Sequence, residues 1–265
     1  MKTYYQIVSE AIKDIRLHGY DSQRRIDYWR DKIRKAAKRD MVPLEKMEND
    51  LKRKFKSQYN SYLSNPLKNH SIGKFTIEKI KPKLRAELEK RMSASRELIK
   101  VNREEMIEKT IQRFSGWATS IPSGGTKVNP DKNIKDSIRK PLSSLPFKER
   151  RVMIDQGAKF ISAMNDIVAA EGGAIAAKWR ARISSGYKNR EEHKERNNDI
   201  YLIRDSWAHK KGFVKPNQHG YTDEIEKPAE LPYCSCYYRY IYNVSSLPED
   251  MLTNKGKEFI GKTEE

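Results

Sequence analysis

The chain has 265 residues, of which 37% are hydrophobic and 34% charged, with a mean hydropathy of -0.90 and a net charge of +18. That is length for one large domain or two modest ones. It excludes a membrane-spanning helix, since no apolar run approaches the ~20 residues a bilayer requires, and its two cysteines exclude a disulfide framework. The opening Met1-Lys2-Thr3-Tyr4-Tyr5 lacks the apolar segment of a secretory signal, so a reducing, cytosolic place of synthesis is expected. A charge of this size favours polyanionic partners. It is unevenly spread: residues 1–115 hold 29 Lys and Arg against 16 Asp and Glu, a net of +13, and the remainder 25 against 20, a net of +5.

The first half reads as helices. Val8, Ala11, Ile12 and Ile15 share one face, and Gly19 stops the pattern. Asp21 is placed to cap a second helix, in which Ile26, Trp29, Ile33 and Ala37 recur at steps of three or four. Pro43 suits the first turn of a third helix, continued by Leu44, Met47, Leu51, Phe55, Tyr59 and Tyr62 and broken at Asn65-Pro66. Ile77 and Ile80 precede Pro82, which again suits a helix start. From there Leu84, Leu88, Met92, Ser95, Ile99, Met106 or Ile107, Ile111 and Phe114 carry a stripe over roughly thirty residues, well beyond the ~11–12-residue mean.

Between Ser115 and Pro146 the turn signals gather: Ser120-Ile121-Pro122-Ser123-Gly124-Gly125, Asn129-Pro130, Lys140-Pro141 and Leu145-Pro146. Residues 115–146 are therefore expected to be a linker or extended arm. A helix resumes near Phe147 and runs through Val152, Ile154, Ala158, Ile161, Met164, Ile167 and Val168 to Gly172-Gly173. Ala174 to Ile183 reads as a short Ala-rich helix, and after Gly186 the texture is mixed. Ile200-Tyr201-Leu202-Ile203 and the run from Cys236 to Tyr242 read as strands on β-propensity. The tail after Asn254 is polar and reads as loose. The expected fold is mainly α with a small α+β C-terminal domain, divided into a basic helical region (1–114), the linker or arm, and a compact mixed module (147–265).

The basic residues are clustered. Lys32, Arg34, Lys35, Lys38 and Arg39 crowd the second helix, and Lys52, Arg53, Lys54 and Lys56 the third, with Lys79, Lys81, Lys83 and Arg85 later. Each cluster alone reads as a solvated helical face. Together with +18 they point to the backbone of double-stranded DNA, which Lys and Arg contact without reading sequence. There is no helix-turn-helix signature, zinc-finger spacing or RNA-recognition motif.

The C-terminal chemistry concentrates in His193, Cys234 and Cys236, with His209 and His219 near in sequence. A Cys-x-Cys pair on a strand turns both sulfurs to one face, and thiolates with an imidazole suit zinc, although structural zinc sites usually space their cysteines by two to four residues. The other reading makes both cysteines small buried hydrophobes. A metal held by His193, Cys234 and Cys236 and a purely structural cluster both stand at this point. Catalysis is not expected, and no catalytic residue is assigned. Glu191, Glu192 and Glu195 alternate with basic residues as on a solvated helix. No nucleophile elbow, phosphate-cradling loop or His-Glu-x-x-His is present.

The order Trp179, Arg190-Glu191-Glu192-His193, Trp207, Gly212-Phe213 and Pro232-Tyr233-Cys234-Ser235-Cys236 resembles the C-terminal domain of the Mu F-type phage head morphogenesis proteins, over roughly the last third of the chain. The family's Asp-Gly after the histidine is replaced here by Asn197-Asn198-Asp199. The resemblance implies a minor head protein inside the capsid of a tailed phage, with the portal, other capsid proteins and packaged DNA as partners and oligomerisation through the portal. It also implies that Arg190 and His193 meet Cys234 and Cys236 in the fold, and that Trp179 and Trp207 belong to the same structural motif. A metal-dependent nuclease or other DNA-processing enzyme, and a host-side DNA-binding protein, are the other function classes the sequence admits.

Overall fold

The computed structural model describes residues 1–64, 74–128, 132–182 and 190–262. Asn65-Pro66, Asn129-Pro130, Ile183 and Gly186 lie outside them, as do the side chains of Tyr62 and Ile77. The molecule is mainly α-helical, with a small three-stranded antiparallel sheet near its C-terminus. It divides into two compact units, Met1–Leu51 with Ala94–Met153, and Lys52–Ser93 with Ile154–Glu265.

The first unit contains α1 (Tyr4–His18), α2 (Gln23–Asp40), the start of α3 (Leu44–Ser64), the second half of α4 (Lys74–Thr119), α5 (Lys132–Ser143) and the start of α6 (Leu145–Glu171). Thr3 caps α1 through a capping box with Gln6. Ser22, one residue past the expected Asp21, caps α2 by accepting the Arg25 amide. Asp21 instead grips the Arg25 guanidinium at 2.8 Å. The apolar stripes meet as the periodicity predicts: Val8, Ala11, Ile12 and Ile15 of α1 pack with Ile26, Ile33 and Ala37 of α2 and with Ile107, Ile111 and Phe114 of α4. Gly19 and Gly125 carry positive φ at a close crossing, where a Cβ on Gly19 would stand 1.8 Å from the Pro122 carbonyl oxygen. Only glycine fits there. In the same unit Arg103 and Glu149 form a largely buried ion pair at 2.6 Å.

The interval read as a linker or extended arm contains the end of α4 and all of α5, whose Ile134, Ile138 and Leu142 face the first unit's core. Pro141 stands inside α5. Its turn residues are real but short. Trp117, Ile121 and Ile138 bury apolar surface, which outweighs the local breakers.

The second unit holds the later part of α3, the first half of α4, the rest of α6 and all that follows. Phe55 of α3 meets Phe160 of α6 with ring centroids 5.8 Å apart. Strand β1 (Ala176–Arg180) lies at the centre of the sheet, between β2 (Ile200–Leu202) and β3 (Tyr237–Ile241). Ala176 opposes Leu202 and Ile241, and Trp179 opposes Tyr238. The strand alternation separates two apolar clusters, one on Ala176, Leu202, Phe213, Met251 and Leu252, the other on Trp179, Tyr201, Cys234 and Cys236. Short helices α7 (Glu191–Glu195) and α8 (Trp207–Lys210) sit in the connections, and α9 (Asn254–Gly261) closes the chain. Asp166 of α6 bonds both Lys227, at 3.1 Å, and the Tyr240 hydroxyl.

Three expectations are corrected here. The Ala-rich segment contains strand β1, not a helix: α6 ends before Gly172 and Gly173, and Ala176–Arg180 pair with β3 along their length and with β2 as far as Lys178, burying Ala176, Ala177 and Trp179. Burial overrides the helix propensity of alanine. The tail after Asn254 is ordered as α9. Thr253 caps it, and Phe259 stacks on Phe213 with centroids 4.6 Å apart. Pro82 lies within α4, which begins at Lys74, so its missing N–H interrupts the helix interior. Replacing Pro82 by Ala is expected to raise stability by up to ~3 kcal/mol, read from urea unfolding. No gain would mean that the helix starts at Pro82 after all.

Candidate functional site

The candidate site lies on the face of the sheet that carries Trp179. That indole is fully buried, 0% exposed, near the end of the central strand, where Trp179 pairs with Tyr238 of β3 just past the last residue paired with β2. Its backbone is pinned by Trp179 N–H to the Asp199 carbonyl at 2.8 Å and by Asn198 N–H to its own carbonyl at 2.9 Å. Asn198 takes a left-handed φ of 84°, which asparagine tolerates. This turn carries α7 back beside β1, and α7 presents His193. The imidazole is 2% exposed and stands edge-on to Trp179, with centroids 5.2 Å apart and planes at 74°. Tyr238 meets Trp179 edge-on at 5.7 Å, and the Arg196 guanidinium lies 5.4 Å from the indole ring.

Cys234 and Cys236 enter from the segment before β3 and are 8% and 5% exposed. His193 Nδ1 is 3.4 Å from Cys234 Sγ and 3.6 Å from Cys236 Sγ. The three ligand atoms lie within 4.8 Å of one another. The Ala229 N–H also donates to Cys234 Sγ, at 3.3 Å. Ala229 and Tyr233 both adopt left-handed φ, 66° and 64°, so the loop that wraps Cys234 is held in a conformation that costs non-glycine residues about 1–2 kcal/mol each. Tyr233 N–H is anchored to Asp155 Oδ1 at 3.1 Å. The Arg190 guanidinium donates to the Pro232 carbonyl oxygen at 3.0 Å, joining the start of α7 directly to the cysteine segment.

The two thiols share protons unequally. A hydrogen bond from Cys236 holds the Cys234 thiol down at about 5, with the Ala229 N–H adding to it, while the same bond and burial push Cys236 well above its ordinary value. Two cysteine sulfurs beside an imidazole are a donor set that suits a soft metal. Both cysteines are free.

Among the sequence-predicted residues, Trp179, Arg190, His193, Cys234 and Cys236 therefore come together. Trp207 does not: it packs on Phe213 and Phe259 and donates to the Gly173 carbonyl at 3.1 Å, within the other apolar cluster's surroundings. His209 contacts the Tyr221 hydroxyl at 3.2 Å, and His219 pairs with Asp199 at 3.3 Å, so neither joins the cysteines. Tyr201, Tyr238, Arg196 and Ala229 complete the site's walls and were not singled out from the sequence. The alternation of β3 could have flagged Tyr238, but nothing local marks Ala229.

The basic clusters fare differently. On α2, Arg34 pairs with Glu108 at 2.7 Å, Lys35 with Asp31 at 2.8 Å, Lys38 with Glu104 at 3.3 Å and Arg39 with Asp40 at 2.8 Å, and Lys32 lies over the Tyr28 ring. On α3, Lys52, Arg53, Lys54 and Lys56 are exposed. Lys52, Lys54 and Lys56 have no ion-pair partner among the described residues. Among the described residues no helix is long and apolar enough to cross a membrane.

No protein-family model, curated protein or solved structure matches this chain.

The packing orders the expected losses. Trp179→Ala should cost ~3–5 kcal/mol, as large aromatic truncations in a core do. Cys234→Ser and Cys236→Ser should each cost roughly 1–3 kcal/mol through a hydroxyl in an apolar site. Arg190→Ala, removing one exposed hydrogen bond, should cost ~1.5 kcal/mol or less. Urea midpoints of the full chain read all four, and an Arg190 loss equal to that of Trp179 would contradict the packing described.

Proposed function

We propose that this protein is a minor head (head morphogenesis) protein of a tailed phage, a structural and interaction protein made in the host cytoplasm and carried inside the virion. The observation that carries the reading is the meeting of two elements forty residues apart in sequence. Arg190 bonds the Pro232 carbonyl and His193 faces both Cys234 and Cys236, as the resemblance to the Mu F-type proteins implies. Trp179, His193, Cys234 and Cys236 are buried and the exposed Arg190–Pro232 bond joins their two segments, which supports a structural role for them. The one metal-type cluster among the described residues contains no carboxylate, and a nuclease centre that activates water at phosphate ordinarily uses carboxylates. We therefore assign no catalytic residue.

In this reading the partners are portal and capsid proteins and the backbone of packaged double-stranded DNA. Contact with DNA rests on the +18 charge and is without sequence preference. The α3 lysines Lys52, Lys54 and Lys56 are the better candidates for phosphate, because four of the five α2 residues already face carboxylates.

Mass spectrometry of purified particles should find the chain in a few copies per virion, and its absence from particles would overturn the reading. Binding of the purified protein to duplex DNA should weaken by ~10³–10⁵ between 50 and 200 mM salt if 6–10 phosphates are contacted. Substituting Lys52, Lys54 and Lys56 by Ala should lower the salt slope by about 1 for each lysine that touches phosphate. Lys35→Ala with Lys38→Ala should change it less. A flat salt response would remove DNA from the list of partners, and nicking of plasmid by the purified protein would favour a nuclease.

A further inference from the structure

We infer that His193, Cys234 and Cys236 bind one zinc ion, through His193 Nδ1 and the two Sγ atoms, with solvent as the fourth ligand. The inference does not rest on the head-protein reading. It begins with a distance. At Zn–S ≈ 2.3 Å and Zn–N ≈ 2.0–2.1 Å, a tetrahedral angle sets the nitrogen and sulfur ligand atoms about 3.6 Å apart. The Nδ1 atom stands 3.4 and 3.6 Å from the two sulfurs. A ring nitrogen has one lone pair or one hydrogen in the ring plane, so it can satisfy one sulfur by hydrogen bonding but not two at once. Near-equal approach to both is what a shared point between the three atoms requires.

The chemistry of the surroundings agrees. An imidazole and two thiolates are a donor set that selects zinc over hard cations such as calcium or magnesium. Two thiolates neutralise the ion's two positive charges, so the complex is uncharged and suits a pocket walled by Trp179, Tyr201 and Tyr238. The Ala229 N–H already points at Cys234 Sγ, at 3.3 Å, the kind of outer hydrogen bond that orients a ligating thiolate. Two residues hold left-handed backbone to close the loop round Cys234. On binding, each coordinating thiol that is still protonated gives its proton to solvent, and no oxidant or reductant is needed. The chain has only two cysteines, and no further His, Asp or Glu joins the cluster among the described residues. The fourth position is therefore left to water.

The test uses the full chain. Zinc measured on desalted protein should approach one ion per chain and fall to background in Cys234→Ser with Cys236→Ser. Wild-type protein refolded with cobalt(II) should show a thiolate-to-cobalt charge-transfer band together with the visible bands of tetrahedral geometry. The chelator EDTA should lower the melting temperature of wild type and leave a folded double variant unmoved. Should the double variant fail to fold, the wild-type cobalt spectrum decides: a thiolate band supports the site and its absence overturns it. Zinc retained by a folded double variant, or no zinc and no cobalt uptake by folded wild type, also overturns it. Neither result bears on whether the protein occurs in virions.

Discussion

The C-terminal module depends on one buried junction: the His193 ring set between Trp179 on one side and two sulfurs on the other. An imidazole and two thiols are poor residents of an apolar interior unless they satisfy each other. Here one ring nitrogen, His193 Nδ1, faces both sulfurs, the indole stands edge-on to the ring, and His193 Nε2 has no hydrogen-bond partner among the described residues. The consequence spreads outward through the backbone. Trp179 sits in the central strand, so fixing it fixes the register with Tyr238 of β3 and the turn at Asn198 that returns α7 to the sheet. Arg190 then ties the start of α7 to Pro232, two residues before the first cysteine. A three-stranded sheet whose strands are three to five residues long has little stability of its own. Side-chain packing on both faces supplies it, and on this face the packing is the junction.

The basic half of the chain obeys a different constraint. Its helices carry far more cation than anion, yet the acidic residues are not scattered. They stand opposite the α2 cations at Glu104 and Glu108 of α4, and beside them at Asp31 and Asp40. Exposed pairs of this kind add little stability individually, typically ~0–1 kcal/mol. Their effect is to lower the local field over α2, and the largely buried Arg103–Glu149 pair does the same inside. The excess charge that remains is left at exposed positions such as Lys52, Lys54 and Lys56. Two basic clusters alike in sequence thus differ in the fold, that of α2 paired with carboxylates and Lys52, Lys54 and Lys56 of α3 exposed, which matters for where a polyanion would lie.

Much of this was legible beforehand. The 3.6-residue stripes of α1 and α2 are strong because apolar residues recur at steps of three or four, and Val8, Ala11, Ile12, Ile15, Ile26, Ile33 and Ala37 are buried. The stripe read for α6 is only partly right: Met164 and Val168 are buried with the unread Phe160, and Ile154 is exposed. The β-propensity of Ile200–Leu202 and of Tyr237–Ile241 was also plain. The short elements were misread for a common physical reason: their state is set by what they pack against. Ala176 to Arg180 has the composition of a helix and the position of a central strand. Asn254 to Gly261 is polar in sequence, but Phe259 finds Phe213 and Gly256 allows the close approach, since a Cβ there would stand 2.1 Å from the Phe213 carbonyl oxygen. Pro82 looked like a start because proline is welcome in a first turn, and only the residues before it reveal otherwise. The site itself was half visible. His193 and the two cysteines drew attention as chemical types, whereas Ala229 and Tyr201 became members of the site only by folding.

Native-state hydrogen exchange on the full chain, wild type and His193→Ala, tests the central role of the junction most directly. In the wild type the amides of Trp179 and Asn198, both in hydrogen bonds across the β1–β2 connection, should exchange only with the slowest opening of their unit. In His193→Ala these amides should exchange much faster, along with those of β3, while the amides of α1 and α2 keep their rates. Unchanged protection at Trp179 and Asn198 in the variant would show that the sheet stands without the histidine, and would contradict the account.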